Sequence, residues 1–156
     1  MLLRGIADRI FSLANTRLYE GENITTAFRA VGAEGTILSS SAATGTSEWV
    51  VDNWDLGVYD LDGDDPATAV YSLTAQATAT LLQITGQPPT EAALLTDGYW
   101  QNAPDTIGYN CRYTIASTNY TQVVGHRFRH VFTLHTADWG ALKFTHVVTY
   151  VSAMAS

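Results

Sequence analysis

The chain of 156 residues contains one cysteine, Cys111, and four prolines. A single cysteine excludes an intrachain disulfide, so packing or association must stabilise the fold. No apolar run approaches the roughly 20 residues needed to cross a bilayer, and no membrane partner is expected. The first thirteen residues are interrupted by Arg4, Asp8 and Arg9, unlike the apolar region of a signal peptide.

Positive charge is also scarce. Lys and Arg total 8 against 15 Asp and Glu, which gives a formal net charge of -7. Phosphate backbones repel such an acidic chain, so nucleic acid is not expected as a partner. The sequence has no phosphate-cradling glycine loop, no dinucleotide fingerprint and no Gly-x-Ser-x-Gly frame. We therefore expect neither enzymatic activity nor a cofactor.

Alternating apolar residues dominate the last third of the chain. The inward positions of the two predicted strands are Phe128, His130, Phe132 and Leu134 in one, and Leu142, Phe144, His146, Val148 and Tyr150 in the other. This period of two is typical of half-buried strands. The two strands form a hairpin with one apolar face, which needs a second sheet to cover it.

Shorter strands are predicted upstream of this hairpin. They fall over residues 24–31, within 48–60, and over 69–73, 77–84 and 108–115. Turn signals rich in Asp, Gly and Pro at 60–66 and 86–89 separate them. Residues 90–95 fit one helical turn or a short strand. Six to eight short strands at this spacing predict a mainly β protein with an antiparallel β-sandwich.

The N-terminal residues follow a helical spacing instead. Their apolar positions are Leu2, Leu3, Ile6, Ile10, Phe11 and Leu13. The spacing predicts a short amphipathic helix or arm, which must dock on the domain or on a neighbouring subunit. We assign residues 1–20 to this helix or arm and residues 21–156 to the β-sandwich domain. Residues 36–47, rich in Ser, Thr, Ala and Gly, are predicted to form a loop or an arm that is ordered only against a partner.

Histidines and carboxylates are the candidates for metal binding. The histidines are His126, His130, His135 and His146. With a turn at 138–140, Phe132 faces His146, and His130 is the diagonal neighbour of His146. Zinc needs further ligands, so buried, hydrogen-bonded imidazoles are favoured over a metal site. The carboxylates of Asp60, Asp62, Asp64 and Asp65 do not match the spacing of an EF-hand, which favours a solvated turn over a calcium site.

Aromatic and cationic side chains are the candidates for contact with a partner. Trp49 and Trp54 are predicted to lie in the core, whereas Trp139 at the hairpin tip is predicted to be exposed. Arg127 and Arg129 lie on the outward face of their strand, available to acidic partners. Cys111 is expected to be buried and inert. The predicted interface residues are Leu3, Ile6, Ile10, Phe11, Arg127, Arg129 and Trp139.

Several short segments together resemble a family of small virion proteins of tailed bacteriophages. These segments are Val58-Tyr59-Asp60-Leu61-Asp62-Gly63, Leu94-Leu95-Thr96-Asp97-Gly98-Tyr99-Trp100, Gly108-Tyr109-Asn110 with Arg112, and the closing hairpin with its glycine turn. The resemblance covers about residues 21–151. It implies a noncatalytic structural subunit with an immunoglobulin-like sandwich, encoded among head and neck components and assembled in the host cytoplasm.

On this basis we expect a capsid decoration, or cement, protein located in the virion. Its partners would be the major capsid protein or other virion proteins, together with further copies of itself. By binding only the assembled lattice, such a protein would stabilise the head. A neck or tail component, a receptor- or carbohydrate-binding module and a metal-dependent enzyme that uses the histidines are the alternatives.

Overall fold

The described part of the chain forms seven strands, arranged in two sheets. The computed structural model describes residues 17–32, 37–39, 50–84, 93–100, 107–136 and 139–152. The strands are β1 (Arg17–Tyr19), β2 (Ile24–Phe28), β3 (Val51–Asp60), β4 (Tyr71–Gln76), β5 (Cys111–Ile115), β6 (Arg127–Thr136) and β7 (Gly140–Val151). Within these ranges, no helix is long and apolar enough to span a membrane.

The larger sheet has the strand order β1-β7-β6-β3-β4, and β2 pairs with β5 in the smaller sheet. Neighbouring strands are antiparallel, except that β1 runs parallel to β7. The run β7-β6-β3-β4 and the pair β2-β5 correspond to the G-F-C-C′ sheet and the B-E pair of variable-type immunoglobulin domains. The predicted mainly β sandwich is confirmed, with an immunoglobulin-like strand order.

Aromatic residues fill the space between the two sheets. The ring of Phe28 on β2 lies 5.1 Å from the rings of Phe132 on β6 and Phe144 on β7. Trp54 on β3 lies 6.1 Å from Phe132, and all four side chains are fully buried. In antibody domains a disulfide joins strands B and F beside a buried Trp on strand C. Here an aromatic contact, Phe28 against Phe132, joins the corresponding strands.

The β6–β7 hairpin keeps its predicted faces but has a different register. Phe132 pairs with Phe144, and His130 lies directly opposite His146. The predicted register was wrong because it placed Gly140 in the turn, whereas Gly140 begins β7 and pairs with Thr136. A shift by an even number of residues leaves every side chain on its original face. The apolar side chains therefore remain inside, and the two histidines are direct neighbours.

Four predicted strands differ from the observed elements. The strand predicted over residues 69–73 is observed as Tyr71–Gln76, and the one predicted over 108–115 as Cys111–Ile115. The strand predicted over residues 24–31 ends at Phe28. The strand predicted over 77–84 is wrong, because Thr78–Thr80 forms a 3-10 helix. The indole Nε1 of Trp54 donates to the Ala77 carbonyl at 3.0 Å and to the Thr80 hydroxyl at 3.1 Å. These bonds hold the helical turn against the sheet, a contact that strand periodicity does not encode.

The segment predicted to be ordered only against a partner is partly built into the domain itself. Ile37, Leu38 and Ser39 are buried. Ile37 bridges to Val31, and Ser39 bridges to Val50. At 37–39 the segment is therefore ordered by contacts within the same chain, so it is not an arm that needs a partner there, and it lies outside the named strands as a loop. Residue 36 and residues 40–47 lie outside the described residues.

The predicted N-terminal helix or arm lies outside the described residues up to residue 16. That part includes Leu3, Ile6, Ile10 and Phe11 of the predicted interface, and Trp49 is also outside. β1 falls inside the range 1–20 that was assigned to the helix or arm, and it pairs with the end of β7. Residues 17–19 thus belong to the larger sheet.

Gly108 provides a test of the packing beside the smaller sheet. Its φ is +110°, and a Cβ there would lie 2.5 Å from the backbone oxygen of Leu95. Gly108→Ala should lower the free energy of unfolding by about 2–3 kcal/mol, because it adds a steric clash to backbone strain. Urea unfolding measures this loss.

Gly125 offers a matched control, since its φ is +87° and nothing lies within 4 Å of an added Cβ. Gly125→Ala carries the backbone strain alone and should cost about 1 kcal/mol. Equal losses in the two variants would contradict the role assigned to the Leu95 contact.

Candidate functional site

The outward face of the larger sheet brings cationic, aromatic and carboxylate side chains together. Alternation along β6 turns Arg127 and Arg129 away from the core, and Tyr59 on β3 pairs with Arg129. Val147 on β7 pairs with Arg129 from the other side and is 39% exposed. On the central strand of this face, Arg129 therefore lies between a tyrosine and a valine.

Arg127 has an anionic partner within the chain. Its Nε and Nη2 donate to the carboxylate of Asp62 at 3.1 and 2.8 Å, and its backbone N–H donates to the same carboxylate at 2.7 Å. These hydrogen bonds lower the pKa of Asp62 to about 2 and raise the pKa of Arg127. Contrary to the expectation from the sequence, the guanidinium of Arg127 is already matched by a carboxylate.

Arg129 has an aromatic partner instead of an anionic one. Its guanidinium carbon lies 5.1 Å from the centre of the Tyr59 ring. The ring lies close over Gly57, where an added Cβ would be 2.9 Å from two atoms of Tyr59. The Nε of Arg129 is buried without a hydrogen-bond partner, and no carboxylate of the described residues pairs with this side chain. We call Gly57, Tyr59 and Arg129 the stacked cation.

Two histidines are bound to aspartates near this face. His126 Nδ1 lies 2.9 Å from Asp60, and His135 Nε2 lies 2.7 Å from Asp55. Burial opposes ionisation of Asp55, but hydrogen bonds from the Ala75 N–H and from His135 outweigh it and lower its pKa. Across the described residues, no group of three or more His, Cys, Asp or Glu side chains is placed to hold a metal ion.

The other two histidines lie inside the sandwich. His130 Nε2 is 3.0 Å from the hydroxyl of Tyr120, which is 2.7 Å from the hydroxyl of Tyr150. His146 Nδ1 is 3.3 Å from the hydroxyl of Thr26 on β2. Burial lowers the pKa of His146 to about 4. Burial and the neighbouring His146 lower that of His130 to about 3. The prediction of buried, hydrogen-bonded imidazoles is confirmed.

Cys111 is fully buried, and burial raises the pKa of its thiol well above the ordinary value. A nucleophilic cysteine needs a stabilised thiolate and access to its substrate. The thiol on β5 has neither, which agrees with the predicted inert role.

A second polar cluster lies beside the smaller sheet. The hydroxyl of Tyr109 donates to both oxygens of Asp97 at 2.9 and 3.0 Å and accepts from Arg112 at 3.0 Å. Burial and the hydrogen bond to Asp97 raise the pKa of Tyr109 to about 12. The guanidinium of Arg112 also lies 4.4 Å from the centre of the Tyr99 ring. Each polar group of this cluster is thus engaged by another member of it.

No family model, curated protein or solved structure matches the chain.

Trp139 is not the exposed anchor that its position at the hairpin tip predicted. The side chain is half-buried and packs against the core. A Cβ on Gly32 would lie 2.5 Å from its indole Nε1. The backbone N–H of Trp139 donates to the Thr136 hydroxyl at 2.9 Å. The prediction was wrong because the indole packs onto Gly32, a glycine far away in the sequence.

Asn110 is a residue whose role sequence reasoning missed. Its side chain is fully buried. It accepts from the Ala30 N–H at 2.7 Å and donates to the carbonyls of Ala30 and Leu38 at 2.9 and 2.8 Å. One amide thus joins the entry of β5 to two distant segments. In the sequence, the only sign of this role is the position of Asn110 in the Gly108-Tyr109-Asn110 segment.

Proposed function

We propose that the chain is a noncatalytic structural subunit of a tailed-bacteriophage virion, acting as a capsid decoration protein. The observation that carries the proposal is how the sandwich uses its reactive side chains. His130, His146 and Cys111 are buried in the core, and His126 and His135 are held by aspartates. The groups that would serve chemistry are thus occupied in packing and in hydrogen bonds to aspartates, and the outward sheet face remains for contacts with other proteins.

The segments that resemble phage virion proteins have structural roles that support the same proposal. Val58 is a core residue of β3. Trp100 and Tyr109 pack together with ring centres 5.8 Å apart, and Asn110 fixes the chain at the start of β5. Shared positions of this kind preserve a scaffold. A decoration protein needs such a scaffold, because it stabilises an assembled lattice by binding to it.

The copy number and position of the protein in purified virions test this proposal. We expect many copies on the head surface, measured by quantitative mass spectrometry and by gold-labelled antibody in electron microscopy. A single ring of copies at the neck or tail would indicate a connector protein and not a decoration protein. Absence from the particle would overturn the assignment to the virion.

A carbohydrate-binding module is a second candidate function, favoured by a different surface. An open groove of about 720 Å³ is lined by Glu20, Gly21 and residues 117–122, which include several hydroxyl and amide side chains. Tyr19, next to Glu20 in the chain, is 49% exposed. Hydroxyl-rich surfaces beside an exposed aromatic ring suit sugars, which need hydrogen bonds and a stacking platform.

A glycan array with purified protein tests this second candidate. If the chain is a carbohydrate-binding module, Tyr19→Ala should abolish binding to the glycans that the unchanged chain binds on the array. Trp139→Ala is the control, because the indole packs against the core. Absence of glycan binding by the unchanged, folded chain would exclude the module on this array.

A further inference from the structure

The stacked cation has no anion among the described residues. Arg129 has a buried Nε without a hydrogen-bond partner, whereas Arg127, two residues earlier, is fully matched by Asp62. Arginine offers five donors in a planar fork that suits carboxylates, and stacking on an aromatic ring pre-orients it. The ring of Tyr59 holds the guanidinium at the outward face. This arrangement fits a carboxylate supplied from outside the described chain.

Two carboxylates at the same end of the sheet lack a cationic partner. Asp64 and Asp65 follow β3 in an exposed turn, and neither side chain has a hydrogen bond or ion pair with any described residue. β3 ends at Asp60, which pairs with Phe128, next to Arg129. An unmatched cation and two unmatched anions therefore lie at the same end of the larger sheet.

We infer that two copies of this chain associate through this end of the sheet, with Asp64 and Asp65 of each copy binding Arg129 of the other. In a twofold dimer a single surface meets itself, so any contact between two different residues occurs twice. A chain that carries both halves of an ion pair at one end of the sheet satisfies this condition.

A second copy fits this surface better than a general acidic partner. The chain has a net charge of -7, so two copies repel each other unless the contact places a cation against an anion. The stacked cation and the Asp64–Asp65 turn provide that match twice in one interface. Arginine and tyrosine are also enriched where proteins meet. The inference goes beyond the proposed function, since such a dimer can form in the absence of a capsid.

Sedimentation of the purified full chain with reversed charges tests the dimer. We expect the unchanged chain to dimerise. Arg129→Glu alone, or Asp64→Lys with Asp65→Lys, should each weaken the dimer at least tenfold. Mixing the two variants should restore association. In the mixed dimer, the carboxylate introduced at position 129 of one copy faces the two ammonium groups introduced in the other copy. The second contact is unchanged, because the native Arg129 of one copy faces the native Asp64 and Asp65 of the other. Added salt should weaken the unchanged dimer.

Lys143→Glu provides the matched control. It makes the same change of charge at an exposed position on β7, away from this end of the sheet, and should leave the dimer intact. Circular dichroism of each variant establishes that it is folded, and Arg129→Gln gives a milder version of the key change. A monomeric unchanged chain overturns the inference. So does a dimer that the reversals do not weaken, or failure of the mixed variants to associate.

Discussion

Acidification from about pH 6.5 to about pH 4 should lower the free energy of unfolding by roughly 3–6 kcal/mol, because two imidazoles in the core must be neutral. His130 and His146 are direct cross-strand neighbours with ring centres 6.1 Å apart. Their surroundings include the hydroxyls of Tyr120, Tyr150 and Thr26. A proton on either ring would place a charge inside the sandwich, where hydroxyl groups replace water poorly.

The direction follows from the two pKa values. Folding lowers the pKa of His130 to about 3 and that of His146 to about 4, from 6.5. Between these values the unfolded chain binds more protons than the folded chain, so stability is fully present above pH 6.5 and falls with falling pH. The tyrosines stay neutral throughout, since burial raises the pKa of Tyr120 and Tyr150. Asp62, with a pKa of about 2, loses its contribution only at lower pH.

Urea unfolding at a series of pH values measures the loss. His130→Gln with His146→Gln removes both titrations while keeping polar side chains, and it should flatten the profile between about pH 6.5 and pH 4. His126→Gln is the control, because that ring lies at the surface beside Asp60. If the double variant keeps the slope of the unchanged chain, the buried pair is not the cause.

Replacement of Asn110 by alanine should lower the free energy of unfolding by about 2–6 kcal/mol. The side chain satisfies one N–H and one carbonyl of Ala30 and the carbonyl of Leu38. The substitution would leave the Ala30 N–H and the Leu38 carbonyl without this partner in the buried interior, where an unmatched backbone group costs about 1–3 kcal/mol. The Ala30 carbonyl keeps a second donor, the Leu38 N–H at 3.3 Å. Thermal or urea unfolding at neutral pH measures the effect.

Asn119→Ala is the matched control for this prediction. Asn119 accepts from the Ala116 N–H at 2.9 Å in an exposed turn, where water can replace the lost acceptor. Its replacement should cost about 1 kcal/mol or less. Similar losses for the two asparagines would show that the backbone groups near Asn110 find other partners.

The strands and their faces could be predicted because burial imposes a period of two. The inward positions of β6 and β7 follow from this period, and all of them are buried. Register was harder to predict, since it depends on whether Gly140 belongs to the turn or to the strand. Strand periodicity also could not separate residues 77–84 from a strand, because the Trp54 indole that fixes their turn lies more than 20 residues away.

The candidate site was predictable only in part, because its contacts also join residues that are distant in the sequence. Alternation places both Arg127 and Arg129 on the outward face, and in the sequence they are equivalent. What distinguishes them is distant along the chain: Asp62 lies 65 residues from Arg127, and the Tyr59 ring that lies under Arg129 is close over Gly57. The packing of Trp139 on Gly32 depends on a similarly distant contact.

The parallel pairing of β1 with β7 also determines when the larger sheet can be completed. Arg17 pairs with Thr149, so about 130 residues must be synthesised before β1 meets its partner, which takes on the order of ten seconds during translation. Contacts between such distant residues also slow folding. The edge of this sheet is therefore a late product of folding, and a nascent chain that stops before residue 149 leaves β1 with nothing to pair against.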